Sequence, residues 1–417
     1  MVLPPLRELT SGVIPPVPPT YYRKGFGLKS EVEQTLSADY TGRLVDLLRE
    51  RDFTLTVGDV TVRLAREFGF CYGVERAVEY AYQTRAKFPD RRIYLAGEII
   101  HNPHVNSRLR EKGIIFLSPG AEGFDYSAVR PEDVVILPAF GVTITDFDTL
   151  RGLGCVMVDT TCGSVLNVWK RVESYARDGF TSLIHGKYYH EETRATASQV
   201  AKHPGGSYLV VRGMEQARDV CDYIEGTGLS REAFLGKFAR QASPAFDPDV
   251  HLQRIGVANQ TTMLARESLA IGEEVGLAMA RRFGAGHRST HFRTFDTICS
   301  ATQDRQDAVN ALLGEPLDAM LVVGGYNSSN TISLAALCAE RVTTYHVSDA
   351  ACLDTERGSI RHVPSGAVDE IETEGWLSAP RPLRIGLTAG ASTPNNKIGE
   401  AVARVLATRG IDPATVG

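Results

Sequence analysis

Three cysteines stand where thiolate chemistry is available. Cys162 closes the phrase Asp159-Thr160-Thr161-Cys162, Cys299 closes Asp296-Thr297-Ile298-Cys299, and Cys71 closes the looser Phe68-Gly69-Phe70-Cys71. Apolar residues follow each of them at helical spacing: Val165, Val168 and Val172 after the first, Val309 and Leu312 after the second, and Val74, Ala77, Val78 and Ala81 after the third. A cysteine at the start of a helix meets backbone N–H groups that lack partners and the positive end of the helix dipole, and both favour a thiolate. The three are expected to meet at one centre. A structural zinc would want four ligands, usually with a short Cys-x-x-Cys pair, and none occurs here. Three thiolates on a four-iron cluster would leave one iron free to bind and activate a substrate. The plainer reading, three buried cysteines, stays open at this point. For Cys155, Cys221, Cys338 and Cys352 the plain reading is taken.

Other polar residues gather where strands are expected to end. His101 follows Gly97-Glu98, and His190-Glu191-Glu192-Thr193 follows His185-Gly186-Lys187. Gln260-Thr261-Thr262, Asn327-Ser328-Ser329-Asn330 and Thr388-Ala389-Gly390-Ala391-Ser392 complete the set. Hydroxyls, amides and backbone N–H groups near helix starts can hold a phosphate without a lysine. The same residue types also cap helices and turn chains. His190 with Glu192 is the best proton-handling pair, since a histidine titrates near neutrality and burial raises a carboxyl toward it; a solvated Glu-Glu pair opening a helix is the bland alternative. His104 and His185 read as structural. Neither a Gly-x-x-x-x-Gly-Lys-Ser/Thr loop nor a Gly-x-Gly-x-x-Gly after a strand is present, so nucleotide hydrolysis and nicotinamide binding lack their usual signatures.

The elements that must position these groups alternate. Short apolar runs at Ile93–Ala96, Val134–Leu137, Ser182–Ile184, Ser207–Val211, Ile255–Ala258, Ala319–Val323 and Ile385–Thr388 read as strands, most of them followed by a polar loop and a helical pattern. This predicts an α/β protein with parallel sheets covered on both faces, and ligands at the carboxyl ends of the strands. Domain-sized intervals between the cysteines predict three small, pseudo-symmetric parallel-sheet α/β domains around a shared centre. The expected divisions are an N-terminal extension over 1–60, domains over 61–161, 162–297 and 298–391, and a C-terminal segment over 392–417. An irregular insertion is expected near 225–250. One helical pattern covers 29–51, an alternating strand at Val60, Val62 and Leu64 leads into Cys71, and the proline-rich first 20 residues are expected to run extended on the surface.

Composition sets the outer bounds. With 43% hydrophobic and 23% charged residues, the chain is ordinary for a globular protein and not disordered. A net charge of −5 gives no reason to expect nucleic acid or an anionic membrane as partner. No apolar run reaches spanning length and the N-terminus lacks a signal-peptide pattern, so a cytoplasmic protein is the expectation.

In order, Gly-Phe-Cys-Tyr-Gly-Val-Glu-Arg-Ala, Glu-Ile-Ile-His-Asn-Pro, Asp-Thr-Thr-Cys, His-Gly-Lys-Tyr-Tyr-His-Glu-Glu-Thr, Asn-Gln-Thr-Thr, Asp-Thr-Ile-Cys, Asn-Ser-Ser-Asn and Thr-Ala-Gly-Ala-Ser occur between about residues 60 and 400. Together they resemble the 4-hydroxy-3-methylbut-2-enyl diphosphate reductase family, and the Tyr-Arg-Lys-Gly-Phe-Gly segment and the long insertion look like its plant and cyanobacterial branch. The resemblance implies a [4Fe–4S] cluster held by Cys71, Cys162 and Cys299. It implies reductive removal of an allylic hydroxyl to give isopentenyl and dimethylallyl diphosphate, with ferredoxin or flavodoxin as electron donor. It also implies that His101, His190, Ser328, Ser329, Asn330 and Ser392 hold the diphosphate, that Thr261 lies near the hydroxyl-bearing end, and that Glu192 takes part in proton delivery. Phe140 replaces a histidine of the better-known bacterial members and cannot donate a hydrogen bond, and Gly163 stands where proline is commoner. Two other classes remain: a non-redox hydro-lyase using iron only as Lewis acid, and a non-catalytic iron–sulfur sensor. The first would turn over without an electron donor; tight diphosphate binding would count against the second.

Overall fold

The computed structural model describes residues 20–120, 123–284, 288–295, 297–378 and 382–416; the expectation for the proline-rich start, and Asp296 of the repeated phrase, lie outside them. Three α/β bodies are present, each built on a sheet. The first sheet has strand order Tyr21–Tyr22, Val156–Asp159, Val134–Leu137, Ile93–Leu95, Ile114–Phe116, all parallel. The second runs Phe292–Thr294, Ile255–Asn259, Thr181–His185, Tyr208–Val211, again all parallel. The third runs Thr344–Val347, Ala319–Val323, Leu383–Ala389, Val60–Leu64, with Thr54–Val57 antiparallel at its edge. The central strands are apolar throughout because both faces are covered: every residue of Val134–Leu137 and of Ala319–Val323 is buried.

Each cysteine marks the passage from one body to the next. The chain leaves the third sheet through Val60–Leu64 and passes Cys71. It then enters the helix Tyr72–Lys87, whose Val74, Ala77, Val78 and Ala81 pack on Ile93, Leu95 and Ile136 of the first body. It leaves the first sheet through Val156–Asp159 and passes Cys162. The following helix Gly163–Arg177 buries Val168, Val172 and Tyr175 in the second body, beside Phe180 and Ala258. After Phe292–Thr294 and Cys299, the helix Ser300–Leu312 lays Val309 and Leu312 on Met320, Val322 and Leu334 of the third. Burying each such large side chain stabilises the fold by about 1.5–3 kcal/mol.

Several expectations need correction. Val60–Leu64 was placed at the head of a first domain starting at residue 61, but it pairs with Leu383–Ala389, Val62 opposite Ile385. The strand's partner lies at the other end of the chain, and alternation of residue types carries no information about that. The helix Asn395–Thr408, assigned to a separate C-terminal segment, packs Ile398, Val402 and Val405 into the same third core. The single helix over 29–51 is two, Lys29–Tyr40 and Arg43–Glu50. They break at Gly42, where an added Cβ would lie 2.6 Å from the Asn395 carbonyl oxygen. The region near 225–250 is not an irregular insertion: Arg231–Phe238 is helical, and Phe234, Phe238 and Phe246 belong to the second core. An antiparallel sheet of Leu353–Asp354, Ser359–His362 and Ile371–Glu374 also appears.

Close approach decides one glycine. Tyr175 lies flat against the strand Ile255–Asn259 and donates its hydroxyl to the Val257 carbonyl at 3.0 Å. A Cβ at Gly256 would meet the Tyr175 ring at 2.5 Å, whereas one at Gly236, in the exposed face of a helix, meets nothing within 4 Å. Gly256→Ala is therefore expected to lower stability by about 1–3 kcal/mol, and Gly236→Ala to raise it by about 0.5–1 kcal/mol. Urea unfolding midpoints of the two variants check both signs.

Candidate active site

The three cysteines cap three helices, Tyr72–Lys87, Gly163–Arg177 and Ser300–Leu312, and line one cavity. None is in a disulfide. A Cβ on Gly73 would lie 2.5 Å from Cys162 Sγ and 4.0 Å from Cys71 Sγ, so this glycine leaves room for two sulfurs together. Ser164 Oγ donates to Cys299 Sγ at 3.3 Å. Burial pushes the Cys71 and Cys162 thiols up, opposed by the Val74 amide at the first and the Ser164 amide at the second. Desolvation thus outweighs the helix N-terminus, and the neutral thiol is the form these two prefer without a cation beside them.

The loops around the sulfurs are interlocked in a ring. From the helix after Cys71, Arg76 Nη1 donates to the Thr161 carbonyl at 3.3 Å, next to Cys162. From the helix after Cys162, Ser164 reaches Cys299. From the helix after Cys299, Arg305 donates from Nη2 and Nε to the Gly69 carbonyl at 2.7 and 3.2 Å, two residues before Cys71. Arg305 is only 3% exposed. Neither arginine was singled out from sequence, although a charged residue on the stripe Thr302, Gln306 and Val309 was the available signal.

Across the cavity, every residue expected at the site is present: His101, His190, Glu192, Thr261, Ser328, Ser329, Asn330 and Ser392 all line it. Glu192 is 1% exposed and accepts from the Thr261 amide through Oε1 at 2.6 Å. Burial pushes its carboxyl up, with the Thr261 hydrogen bonds pulling the other way. Thr261 is itself held by its neighbour: Gln260 Oε1 accepts from Thr193 Oγ1 at 3.0 Å and from the Lys187 amide at 3.1 Å. His190 caps the helix Glu191–Ser198 and accepts the Glu192 amide through Nδ1 at 3.2 Å, which leaves Nε2 to carry the ring proton.

Donors with no acceptor line the same space. His101 Nε2, Ser329 Oγ and Asn330 Nδ2 are buried without hydrogen-bond partners. The Asn330 amide is oriented by its other end, since Oδ1 accepts from the Ala391 amide at 2.8 Å. Ser328 Oγ caps its helix by accepting from Thr331 N, and Ser392 Oγ donates to the His101 carbonyl at 3.1 Å, so these two are engaged with protein. Buried polar groups are rarely left without partners, and several convergent ones define a place for an anion. His104 and His185 are elsewhere: His104 packs edge-on to Tyr40, and His185 Nδ1 pairs with Ser268 Oγ at 2.8 Å. The remaining four cysteines are buried.

His101 carries the site's charge. Its Nδ1 bonds Glu98 Oε2 at 2.9 Å, Asn327 Nδ2 donates to the same carboxylate oxygen at 3.2 Å, and Glu191 Oε2 lies 3.5 Å from Nε2. Phe140, expected to cost a contact, stacks on the His101 ring with centroids 4.4 Å apart and meets His190 edge-on at 5.5 Å. Burial opposes a charge on His101, yet Glu191 and Glu98 outweigh it and hold the ring up to about 9. In the adjacent His190, burial and the His101 charge act together and take the ring down to about 3. Glu98 and Asn327 lie in stretches that the sequence singles out, but their contacts with His101 and the stacking of Phe140 were not foreseen.

A family model described as LytB protein matches residues 62–406. A relative from Thermosynechococcus vestitus, named 4-hydroxy-3-methylbut-2-enyl diphosphate reductase, is 48% identical over 393 residues, or 94% of this chain and 95% of its own. One of the same name from Gloeobacter violaceus is 46% identical over 396 residues, or 94% and 93%. Among solved structures, that of (E)-4-hydroxy-3-methyl-but-2-enyl diphosphate reductase, the terminal enzyme of the non-mevalonate pathway, covers 82% of this chain and 98% of its own at 27% identity and TM-score 0.50. A reductase from Plasmodium falciparum shares the fold at 22% identity and TM-score 0.60, over 83% of this chain and 87% of its own.

The two histidines give stability a pH dependence of opposite signs. His101 binds its proton more tightly when folded, so its contribution is complete below about pH 6.5 and is lost as pH rises through about 9. His190 is depressed, so it costs nothing above about pH 6.5 and destabilises increasingly as pH falls toward about 3. Ring proton NMR should show a midpoint near 9 for His101, and His101→Gln should flatten the alkaline limb of unfolding free energy against pH.

Proposed function

This chain belongs to the LytB family of 4-hydroxy-3-methylbut-2-enyl diphosphate reductases, and from that premise we propose how its cavity performs the reaction. The enzyme is an oxidoreductase of isoprenoid synthesis. It removes the allylic hydroxyl of (E)-4-hydroxy-3-methylbut-2-enyl diphosphate as water, taking up two electrons and two protons, and yields isopentenyl diphosphate and dimethylallyl diphosphate.

We assign the cofactor as one [4Fe–4S] cluster held by Cys71, Cys162 and Cys299. The donor set fits: three thiols unpaired with one another cap three helices around one cavity, and Gly73 carries no side chain where two of them approach. When bound, such a cluster supplies electrons singly and an iron free of protein ligand as Lewis acid for a poor leaving group. One-electron supply suits a ferredoxin or flavodoxin donor, and free cysteines suit the cytoplasm. No helix among the described residues is long and apolar enough to cross a membrane.

The protein's own groups do the rest. His101, already cationic, and the Nε2–H of His190 face the diphosphate, and Ser329 Oγ and Asn330 Nδ2 supply the donors that otherwise stay unpaired. Ser328 and Ser392 complete the cradle by exchanging their present partners. Holding the diphosphate at this end sets the hydroxyl-bearing end toward Thr261 and Glu192. Burial pushes the Glu192 carboxyl up, which favours its protonated form; with Oε1 accepting from the Thr261 amide, Oε2 is the oxygen that would carry the proton and pass it to the departing hydroxyl. Phe140 contributes a flat apolar surface beside His101 and His190 at the diphosphate end.

The observation that carries this reading is the meeting of three thiols and a set of unpartnered donors in one cavity. Anaerobic purification should give a brown protein with about four irons per chain, active only when an electron donor is added; turnover without donor would instead establish the hydro-lyase. Cys162→Ser should lose iron and activity together. Glu192→Gln should retain iron and bind substrate while kcat drops about 10²- to 10⁴-fold, read by anaerobic steady-state kinetics with a chemical reductant.

A further inference from the structure

The His190-Glu191-Glu192 turn sends two adjacent carboxylates to different places. Glu192 goes inward and is 1% exposed. Glu191 opens its helix, with a side chain 46% exposed, and bends back so that Oε2 lies 3.5 Å from His101 Nε2 and 4.0 Å from His190 Nδ1. His101 Nε2 has no hydrogen bond, so the Glu191 contact is an ion pair without hydrogen-bond geometry. It is the nitrogen that the substrate's phosphate requires. The opposite nitrogen is already neutralised by Glu98, at 2.9 Å with proper hydrogen-bond geometry and a second tether to Asn327. One imidazolium thus faces two carboxylates, and both help to keep it cationic. Glu98 holds its back through a hydrogen bond, while Glu191 is the one open to solvent and held at the front without a hydrogen bond.

We propose that the Glu191 carboxylate is a built-in stand-in for a phosphate group: it lies against His101 at the edge of the cavity, is displaced outward by the substrate's diphosphate, and thereby sets how tightly the site takes diphosphates. The proposal rests on the diphosphate reading of the cavity given above. Three features support displacement rather than joint occupancy. A carboxylate and a phosphate cannot share Nε2, because it carries one proton. Like charges brought together in a partly buried site repel strongly. The helix start that receives Glu191 offers backbone N–H groups and a dipole that serve a phosphate equally well. Ser329 Oγ and Asn330 Nδ2 stay unpartnered with Glu191 in place, so the stand-in covers only part of the surface that the larger anion would fill. Its effect follows from mass action: the apparent dissociation constant is the intrinsic one divided by the fraction of molecules with Glu191 swung away.

The test uses anaerobically prepared holoenzyme at fixed ionic strength, with KM for the diphosphate substrate and Ki for inorganic diphosphate measured in wild type, Glu191→Gln, Glu191→Ala and Glu98→Gln. Both Glu191 variants are expected to lower KM and Ki about fivefold, the size of an exposed ion pair. Glu98→Gln removes the hydrogen-bonded carboxylate at the back of His101, which stays in place when a phosphate binds and supports the ring's charge, and should raise both constants. Opposite signs from two carboxylates on one ring separate a stand-in from a general gain on removing negative charge. Equal signs, or Glu191 variants with unchanged or raised constants, overturn the proposal. If inorganic diphosphate inhibits none of the four proteins, the diphosphate site itself fails and the proposal with it; if it inhibits all four alike, only the role of Glu191 is lost.

Discussion

The arrangement depends on three sulfurs that each belong to two bodies at once. Every cysteine is preceded by a strand of one sheet and followed by a helix buried in the next core, so its position is set jointly by two packing units. The contacts of Arg76, Ser164 and Arg305 repeat this relation in a closed ring, each reaching from the helix after one cysteine to the loop or sulfur of the next. A rotation of any one body would move a sulfur and break a contact at each of its two boundaries. Rigidity at the centre is thus a property of the whole molecule, although each body has a hydrophobic core of its own.

Electrostatics then divides labour among groups only a few ångströms apart. His101 and His190 are in ring contact at 5.0 Å, yet two carboxylates keep the first cationic and burial keeps the second neutral. Burial pushes the Glu192 carboxyl, in the same wall, up toward its protonated form, with the Thr261 hydrogen bonds and the His101 charge pulling the other way. A cation, a neutral ring and a carboxyl pushed upward are three different environments within one wall. They arise from burial and from neighbours, with no need for unusual residue types. Phe140 belongs to this scheme: a second histidine there would compete for the same carboxylates, while an aromatic face fixes the orientation of the His101 ring without adding charge.

Much of the site was legible because its chemistry is written in residue type at strand ends. Cys71, Cys162 and Cys299, the His-x-Glu pair and the Ser-Ser-Asn cluster sit where a parallel sheet presents its carboxyl edge, and periodicity alone places those edges. The ferrying of Val60–Leu64 into the third sheet was not legible, because a strand's pattern reports which faces are covered and not by whom. Gly42 was missed for a related reason: what keeps a side chain out of this position is the backbone of Asn395, remote in the chain. Arg305 escaped, and Glu98 and Asn327 were named without their partners, since their importance lies in whom they touch. An arginine among apolar positions hints at a buried partner, but only the fold identifies it as the Gly69 carbonyl.

The pairing of Val60–Leu64 with Leu383–Ala389 also bears on how the polypeptide comes into being. As the chain emerges from the ribosome, the first and second bodies can acquire nearly all their strands in turn. The third must wait, with its early strand displayed, until residue 389 has cleared the exit tunnel. The loop carrying Cys71 is anchored by the backbone of Ala389 and Ala391, through Gly69 N and Cys71 N, so the first sulfur encoded is the last to be fixed in place. Whatever the three sulfurs hold in common can be held only once nearly the whole chain has been made.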